Sequence, residues 1–174
     1  MKTAFACLFL AAAASLLAAS AETFQVERFT FTVPADWKKV APPSPMRKAQ
    51  LEVGMDAAKA EVTFFHFGGG SGSAADNVAR WYSQFPGSEA TQKSENVEAN
   101  GVKITFVEAA GTFNSGMPGG PTTPMPDYAM QGAILENTAS GDVYVKMTGP
   151  KATVEGAAPA FRKMVMDVTQ SAAK

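Results

Sequence analysis

Apolar and polar residues alternate along several stretches of this chain, and the alternation predicts β-strands. Phe29, Phe31 and Val33 are separated by threonines, which is the period-2 pattern of a strand with one buried face. Residues 46–53 resume the same alternation. Residues 61–67 are instead apolar on both faces, which is typical of a central strand that is covered on both sides.

A glycine-rich turn, residues 68–72, follows this central strand and leads directly into a helix. Ser73 has the side chain of a helix N-cap, and Asp76 lies in the first turn, where a carboxylate suits the helix dipole. Pro86 ends the pattern. The apolar residues of this helix recur at helical spacing and form one buried face: Ala74, Val78, Trp81 and Phe85.

The second half of the chain predicts consecutive antiparallel strands. Asn100 and Gly101 form a dipeptide that two-residue hairpin turns prefer, and a long strand is predicted after them over residues 102–113. Residues 128–136 and 142–147 predict two more strands that flank another hairpin turn. Because hairpins join antiparallel neighbours, the sheet is predicted to be mainly antiparallel.

Glycine and proline fill residues 114–126, which are predicted to be a loop of a length that is often functional or mobile. A final helix is predicted near Pro159, a residue that suits the first turn of a helix. Its buried face consists of Phe161, Met164, Val165 and Val168. The element order therefore predicts an α+β fold, with a mainly antiparallel sheet of about six strands flanked by two main helices in an α/β/α sandwich.

Three parts of the chain resemble the Mog1/PsbP-like group of proteins. They are the strand and P-x-x-W turn of residues 29–37, the helix after the glycine turn, and the last strand, residues 143–147, which leads into the terminal helix. The chain also resembles uncharacterised exported bacterial proteins of that type. That second resemblance is carried by residues 69–73, by Asn77, Arg80 and Trp81, and by residues 146–150. The resemblance implies a sheet between helices and an accessory or partner-binding role rather than an enzymatic one.

The first 21 residues have the pattern of a secretory signal peptide. Lys2 supplies a positive charge, residues 4–19 are almost entirely apolar, and Ala19 to Ala21 form a small-x-small cleavage signal. The apolar run is too short for a transmembrane helix, which needs about 20 residues. We therefore expect cleavage after Ala21, no stable membrane insertion afterwards, and a periplasmic or extracellular single α+β domain over residues 22–174.

Charge and cysteine content exclude several classes of function. The whole chain has a formal net charge of −1 and therefore no basic footprint for nucleic acid. Its single cysteine, Cys7, lies within the predicted signal peptide, so the mature protein would have neither a disulfide nor thiol chemistry. We expect a monomer that needs no cofactor.

The glycine turn resembles several ligand-binding motifs without completing them. It lacks the lysine of a P-loop, and its dinucleotide-type glycine spacing lies among predicted hairpins rather than in a parallel βαβ unit. Free N–H groups at the start of the helix favour an anion there, whereas the alternative is tight packing of strand against helix. The candidate ligand contacts in this turn are Gly69, Gly70, Ser71, Gly72 and Ser73.

Basic residues that are distant in sequence are predicted to meet near one end of the sheet. They are Arg47, Lys48, Arg80 and Lys146. Trp81 would add an aromatic wall, and Asn77 lies on the same polar side of the helix as Arg80. Such a group would bind a carboxylate or a polar polymer, and the alternative is solvated surface charge.

His66 is the only histidine in the chain. A Ser-His hydrolase would have to use it, although the chain contains no Gly-x-Ser-x-Gly motif. Three methionines in or near the predicted loop, Met117, Met125 and Met130, are candidate copper(I) ligands together with His66. The alternatives are a histidine that is satisfied within the sheet and methionines that serve as packing.

Taken together, these patterns predict an exported, non-enzymatic accessory domain that recognises a partner protein or a small ligand. The glycine turn and the predicted loop of residues 114–126 are its expected contact surfaces. The alternative is a periplasmic small-molecule or copper(I)-binding protein that uses His66 and the methionines. A hydrolase is the third possibility.

Overall fold

Strands dominate this computed structural model, which describes residues 21–116, 120–136 and 140–170. In chain order the strands are β1 (Thr23–Val26), β2 (Phe29–Thr32), β3 (Lys38–Val40), β4 (Arg47–Val53), β5 (Ala60–His66), β6 (Lys93–Ala99), β7 (Val102–Gly116), β8 (Thr122–Leu135), β9 (Val143–Pro150) and β10 (Thr169–Gln170). Seven of them form one antiparallel sheet in the order β3-β4-β5-β9-β8-β7-β6. The remaining three form a small sheet in the order β1-β2-β10.

Two helices lie on opposite faces of the large sheet. They are α1 (Ala74–Tyr82) and α2 (Lys151–Met166), and two single-turn 3₁₀ helices occupy Asp56–Ala58 and Glu89–Thr91. The small sheet shares the face of α2, because apolar residues of β1 and β2 belong to the same buried cluster as those of α2. The large sheet is therefore the middle layer, with α1 and the segment that follows it, which includes the buried Phe85, on the other side.

Side-chain alternation along the strands divides the core into two clusters. On β9, Val143, Val145 and Met147 pack toward α2, whereas Tyr144 between them packs toward α1. The cluster under α1 is the smaller one, and Trp81 of the helix is its largest contribution from outside the sheet. This smaller cluster leaves part of the sheet face beside α1 accessible.

The predicted α+β class, the mainly antiparallel sheet and the two flanking helices are confirmed. The large sheet has seven strands rather than about six, and the small sheet is separate from it. The strand β3 carries no alternation to reveal it, because it is only three residues long and contains Lys38 and Lys39. The pairing of β3 with β4 therefore could not be predicted from the local sequence.

The hairpin predicted at Asn100 and Gly101 is confirmed. It joins β6 to β7, with Ala99 opposite Val102, and both turn residues have positive φ, 51° for Asn100 and 73° for Gly101. Two-residue turns of this kind require positive φ at both positions, which is why this dipeptide is preferred there. The Asn100 side chain also donates to the carbonyl of Val168, so the turn is tied to the end of α2.

The loop predicted over residues 114–126 is wrong for most of its length. The strands β7 and β8 continue as a paired ribbon there, with Asn114 opposite Pro124 and Gly116 opposite Thr122. Residues 117–119 lie outside the described residues. Proline is tolerated in β8 here because β9 pairs with β8 only from Tyr128 onward, which leaves this part of β8 with one neighbour.

The start of the last helix also differs from the prediction. The helix α2 begins at Lys151, and Pro159 lies inside it rather than in its first turn. An interior proline removes one backbone hydrogen bond. The helix continues through it because five residues on one face are buried: Val154, Ala157, Phe161, Met164 and Val165. Tertiary packing thus outweighs the local preference. Within the described residues, neither helix has the length and apolar character that crossing a membrane requires.

Candidate functional site

A cavity of about 230 Å³ lies between α1 and the sheet, where β5 and β9 are neighbours. Phe65 pairs with Tyr144 and Thr63 pairs with Lys146, so that side chains from both strands point to the α1 face. The helix contributes the opposite wall of the cavity. The lining residues are Phe65, Phe67, Arg80, Trp81, Gln84, Tyr144 and Lys146.

Lys146 lies in this cavity without a carboxylate partner among the described residues. Its Nζ donates a hydrogen bond to Oε1 of Gln84 and lies 5.0 Å from the centroid of the Phe113 ring. Burial lowers the pKa of Lys146 to about 7, and the positive charge of Arg80 acts in the same direction. A substantial fraction of this amine is therefore neutral at pH 7.

Arg80 is the second cation of the cavity, and no ion pair within the described residues includes it. Its guanidinium donates to Oδ1 of Asn77, one turn earlier on α1. Asn77 is itself buried, and its Nδ2 donates to the carbonyls of Ser71 at 3.0 Å and Ser73 at 2.9 Å. Asn77 thus fixes Arg80 to the glycine turn, and the other guanidinium donors remain available to a ligand.

Aromatic rings form the rest of the cavity wall. Phe65 and Phe67 are stacked with centroids 5.7 Å apart, and Phe67 is 5.8 Å from Tyr144. Trp81 meets Tyr144 edge-on at 6.4 Å. Burial raises the pKa of the Tyr144 phenol, so this group stays neutral at physiological pH. Its oxygen is 2.7 Å from Oγ of Ser71, which links the aromatic wall to the glycine turn.

No residue of the predicted glycine turn lines the cavity, but Ser71 bonds to Tyr144, and the carbonyls of Ser71 and Ser73 accept hydrogen bonds from Asn77. The amide of Ser73 donates to Oδ2 of Asp76 at 3.0 Å, and the amide of Asp76 donates to Oγ of Ser73. The hydrogen bonds from the Ser73 side chain and backbone lower the pKa of Asp76. The start of α1 thus already holds a carboxylate of the chain itself. The predicted contacts Gly69, Gly70 and Gly72 are not among the residues that line the cavity.

The predicted cluster of basic residues is brought together only in part. Arg80 and Lys146 share the cavity, as expected. Arg47 lies on β4, where its Nη1 donates to Oε1 of Gln50 at 2.6 Å and to Oε2 of Glu61 at 3.2 Å. Its charge is therefore neutralised by its own strand pair, β4 and β5.

Both ring nitrogens of His66 contact oxygen atoms. Nδ1 is 2.9 Å from Oε1 of Glu27, and Nε2 is 2.8 Å from the carbonyl oxygen of Ser140. The histidine thus ties the end of β5 to the β1–β2 turn and to the segment before β9. No ring nitrogen is left to activate a serine, so this geometry does not favour the hydrolase alternative.

The candidate copper(I) ligands do not converge. Met130 is fully buried opposite Thr148 of β9, whereas His66 is opposite Val143 of the same strand. Those two positions on β9 are five residues apart, about 17 Å along the strand. Met125 lies on the β7–β8 ribbon, and Met117 is outside the described residues. No cluster of three His, Cys, Asp or Glu side chains suited to a metal ion occurs in the described part of the chain.

A larger groove of about 830 Å³ runs along the other side of α1, against β6 and β7. Small apolar residues of the helix form one wall, and the charged residues at its sides have both signs: Glu98, Lys103 and Glu136. Its lining includes one aromatic ring, that of Tyr82, and no pair of cationic side chains. The smaller cavity therefore carries the more specific chemistry.

Comparison with solved structures shows a PsbP-like fold. The solution structure of cyanobacterial PsbP (CyanoP) from Synechocystis sp. PCC 6803 matches with a TM-score of 0.58 and 11% sequence identity, covering 93% of this chain and 99% of that chain. The crystal structure of PA94, a protein of unknown function from Pseudomonas aeruginosa, matches with a TM-score of 0.48 and 13% identity, covering 88% and 99%. No protein-family model and no curated protein matches the chain. The likeness to CyanoP confirms the predicted fold group and concerns the fold alone.

Proposed function

We propose that this chain is an exported accessory domain that binds a small carboxylate ligand in the cavity between α1 and strands β5 and β9. The proposal depends on one observation: two basic side chains, Arg80 and Lys146, line the same aromatic cavity. Neither has an acidic partner within the described residues. Export is part of the proposal because of the signal-peptide pattern of residues 1–21.

The chemistry of the lining favours a carboxylate with a flat apolar body. A guanidinium binds a carboxylate through two parallel hydrogen bonds, and Arg80 keeps donors free for this. The rings of Phe65, Phe67 and Trp81 offer apolar surface to the remainder of the ligand. A volume of about 230 Å³ is below the usual range of about 300–1,000 Å³ for ligand pockets, so we infer a ligand with few atoms.

Replacing Arg80 by Gln is expected to weaken the binding of benzoate about 10- to 100-fold at pH 6. The reason is the loss of a charged hydrogen-bond donor, a contact worth about 1.5–3 kcal/mol. Isothermal titration calorimetry measures the change. The matched control is Arg162→Gln, because Arg162 pairs with Glu95 and covers Phe106 on the other side of the sheet. Equal affinity of the parent and Arg80→Gln proteins, or no benzoate binding by the parent, would contradict the proposal.

The affinity for benzoate is expected to fall several-fold as the pH rises from 6 to 8.5. Burial lowers the pKa of Lys146 to about 7, so the free protein loses this positive charge over that interval, whereas a bound anion favours the charged form. Binding therefore takes up a proton above pH 7 and becomes weaker. The same titration repeated at several pH values provides the measurement. A pH-independent affinity in the parent, or an unchanged pH profile in Lys146→Met, would assign the anion to another site.

A further inference from the structure

The amine of Lys146 is placed where a small ligand would meet it. We propose that Lys146 forms an imine with small 2-oxo acids, whose carboxylate is held by Arg80 in the same cavity. This inference rests on the carboxylate binding proposed above. It adds the substrate class, a carboxylate with an adjacent carbonyl carbon, and a covalent step at a named atom.

The geometry provides a fixed amine and a separate anion contact. Lys146 extends from β9, a strand that is paired on both sides, and its Nζ is held by Oε1 of Gln84 in the turn just after α1. Arg80 lines the same cavity and is positioned by Asn77. A 2-oxo acid bound to Arg80 by its carboxylate would present its carbonyl carbon to a second group that lines this cavity, and Lys146 is the amine there.

The surroundings of Lys146 keep its amine available as a nucleophile. The helix α1 contributes the charge of Arg80, β9 contributes the neutral Tyr144, β7 contributes the ring of Phe113, and Asp142 precedes β9 near Tyr144. Burial lowers the pKa of Lys146 to about 7, whereas an exposed lysine with an ordinary pKa of about 10.4 has roughly one neutral amine in two thousand at pH 7. Lysines in hydrophobic pockets or beside another cation are the ones that form such adducts.

The covalent step is balanced without a further reactant. The lone pair of the neutral amine adds to the carbonyl carbon, and the nitrogen loses a proton to the carbonyl oxygen, which gives a carbinolamine. The remaining proton of the nitrogen is then transferred to that hydroxyl, which leaves as water as the C=N bond forms. One amine and one carbonyl group thus give one imine and one water, and no oxidant or reductant takes part.

Reductive trapping tests the inference. The purified protein is incubated with pyruvate and cyanoborohydride at pH 7, and the labelled lysines are located by peptide mass mapping. We expect Lys146 to be labelled at least about tenfold faster than any exposed lysine, because its neutral fraction is far larger. Benzoate is expected to suppress this labelling. Two control variants are Lys146→Arg, which keeps the charge without a reactive amine, and Lys103→Gln, which removes an exposed lysine on β7.

The outcomes separate this inference from the proposed function. Dominant labelling of Lys146 that benzoate suppresses, and that Lys146→Arg loses and Lys103→Gln keeps, supports the imine. Benzoate binding by calorimetry without labelling of Lys146 overturns the imine and leaves the carboxylate site intact. Labelling spread over exposed lysines, together with no benzoate binding, overturns both.

Discussion

Replacing Lys146 by Met is expected to stabilise the folded protein by about 1–3 kcal/mol at pH 6. A lysine whose pKa is lowered from 10.5 to about 7 is destabilised as a cation in the folded state, an effect worth at most about 5 kcal/mol. We expect the smaller gain of about 1–3 kcal/mol because the Lys146 side chain remains partly exposed and its charge is screened by water. Methionine keeps the length and apolar stem of the side chain and removes the charge.

The sign of the pH dependence makes this prediction specific. Between about pH 7 and pH 10.5 the unfolded protein keeps the proton on Lys146 and the folded protein has lost it, so the stability of the parent rises with pH in this window. Below pH 7 both states are protonated and the full cost remains. The advantage of Lys146→Met should therefore be largest below pH 7 and disappear as the pH approaches 10.5.

Urea unfolding at pH 6, 8 and 9.5 measures this difference. The control Lys103→Met removes an exposed lysine and should change the free energy of unfolding by less than about 0.5 kcal/mol. A destabilised Lys146→Met protein, or a difference that does not vary with pH, would show that Lys146 carries an ordinary charge in the folded protein. A stabilising loss of Lys146 would instead indicate a residue kept for function at the expense of stability.

Gly132→Ala is expected to destabilise the protein by about 1–3 kcal/mol and to weaken benzoate binding. Gly132 lies on β8 directly beneath α1, and an added Cβ would be 2.4 Å from Cζ3 and 2.8 Å from Cε3 of Trp81. Both residues are buried, so the indole must shift and α1 must move with it. Because Trp81 is also a wall of the cavity, stability and binding should fall together.

The matched control for this variant is Gly156→Ala. Gly156 is exposed within α2, and an added Cβ there would meet no atom within 4 Å. Alanine is favoured over glycine inside a helix, so this control should be stabilised by about 0.5–1 kcal/mol and should bind benzoate like the parent. Urea unfolding and calorimetry of both variants provide the comparison. Gly132→Ala with parental stability would mean that Trp81 does not pack on this glycine.

The sequence was sufficient for those features of the fold that depend on local pattern. The helix of Trp81 and the hairpin at Asn100 follow from periodicity and turn chemistry. The hairpin is found where it was predicted, and the helix begins as predicted after Ser73 but ends at Tyr82, before the predicted stop at Pro86. The ribbon in which residues 114–116 pair with residues 122–124 was missed because the Pro and Gly content of residues 114–126 predicts a loop, whereas an edge position tolerates Pro124. The start of α2 was missed because burial of its apolar face outweighs the local signal of Pro159.

The candidate site was only partly predictable for a different reason. Arg80 and Lys146 were expected to meet. The pairing that brings Lys146 of β9 beside β5, the strand before α1, joins residues about 80 positions apart in the sequence. Such pairing leaves no local signal. Tyr144 did have one, because it lies two residues before Lys146 on the same strand and therefore on the same face of the sheet. Gln84 lies in the turn after α1 rather than on the helix. Arg47 was predicted to join this basic cluster but instead pairs with Glu61 on the adjacent strand.

The most direct test of the carboxylate site is a benzoate titration monitored by the two tryptophan indole N–H signals at pH 6. The chain has two tryptophans: Trp81 is a wall of the cavity, and Trp37 is buried in the cluster on the opposite face of the sheet. The variant Trp81→Phe assigns the signals. We predict a saturable shift of the Trp81 signal, lost in Arg80→Gln, while the Trp37 signal stays in place. An unmoved Trp81 signal, or equal shifts of both, would contradict a carboxylate site between α1 and strands β5 and β9.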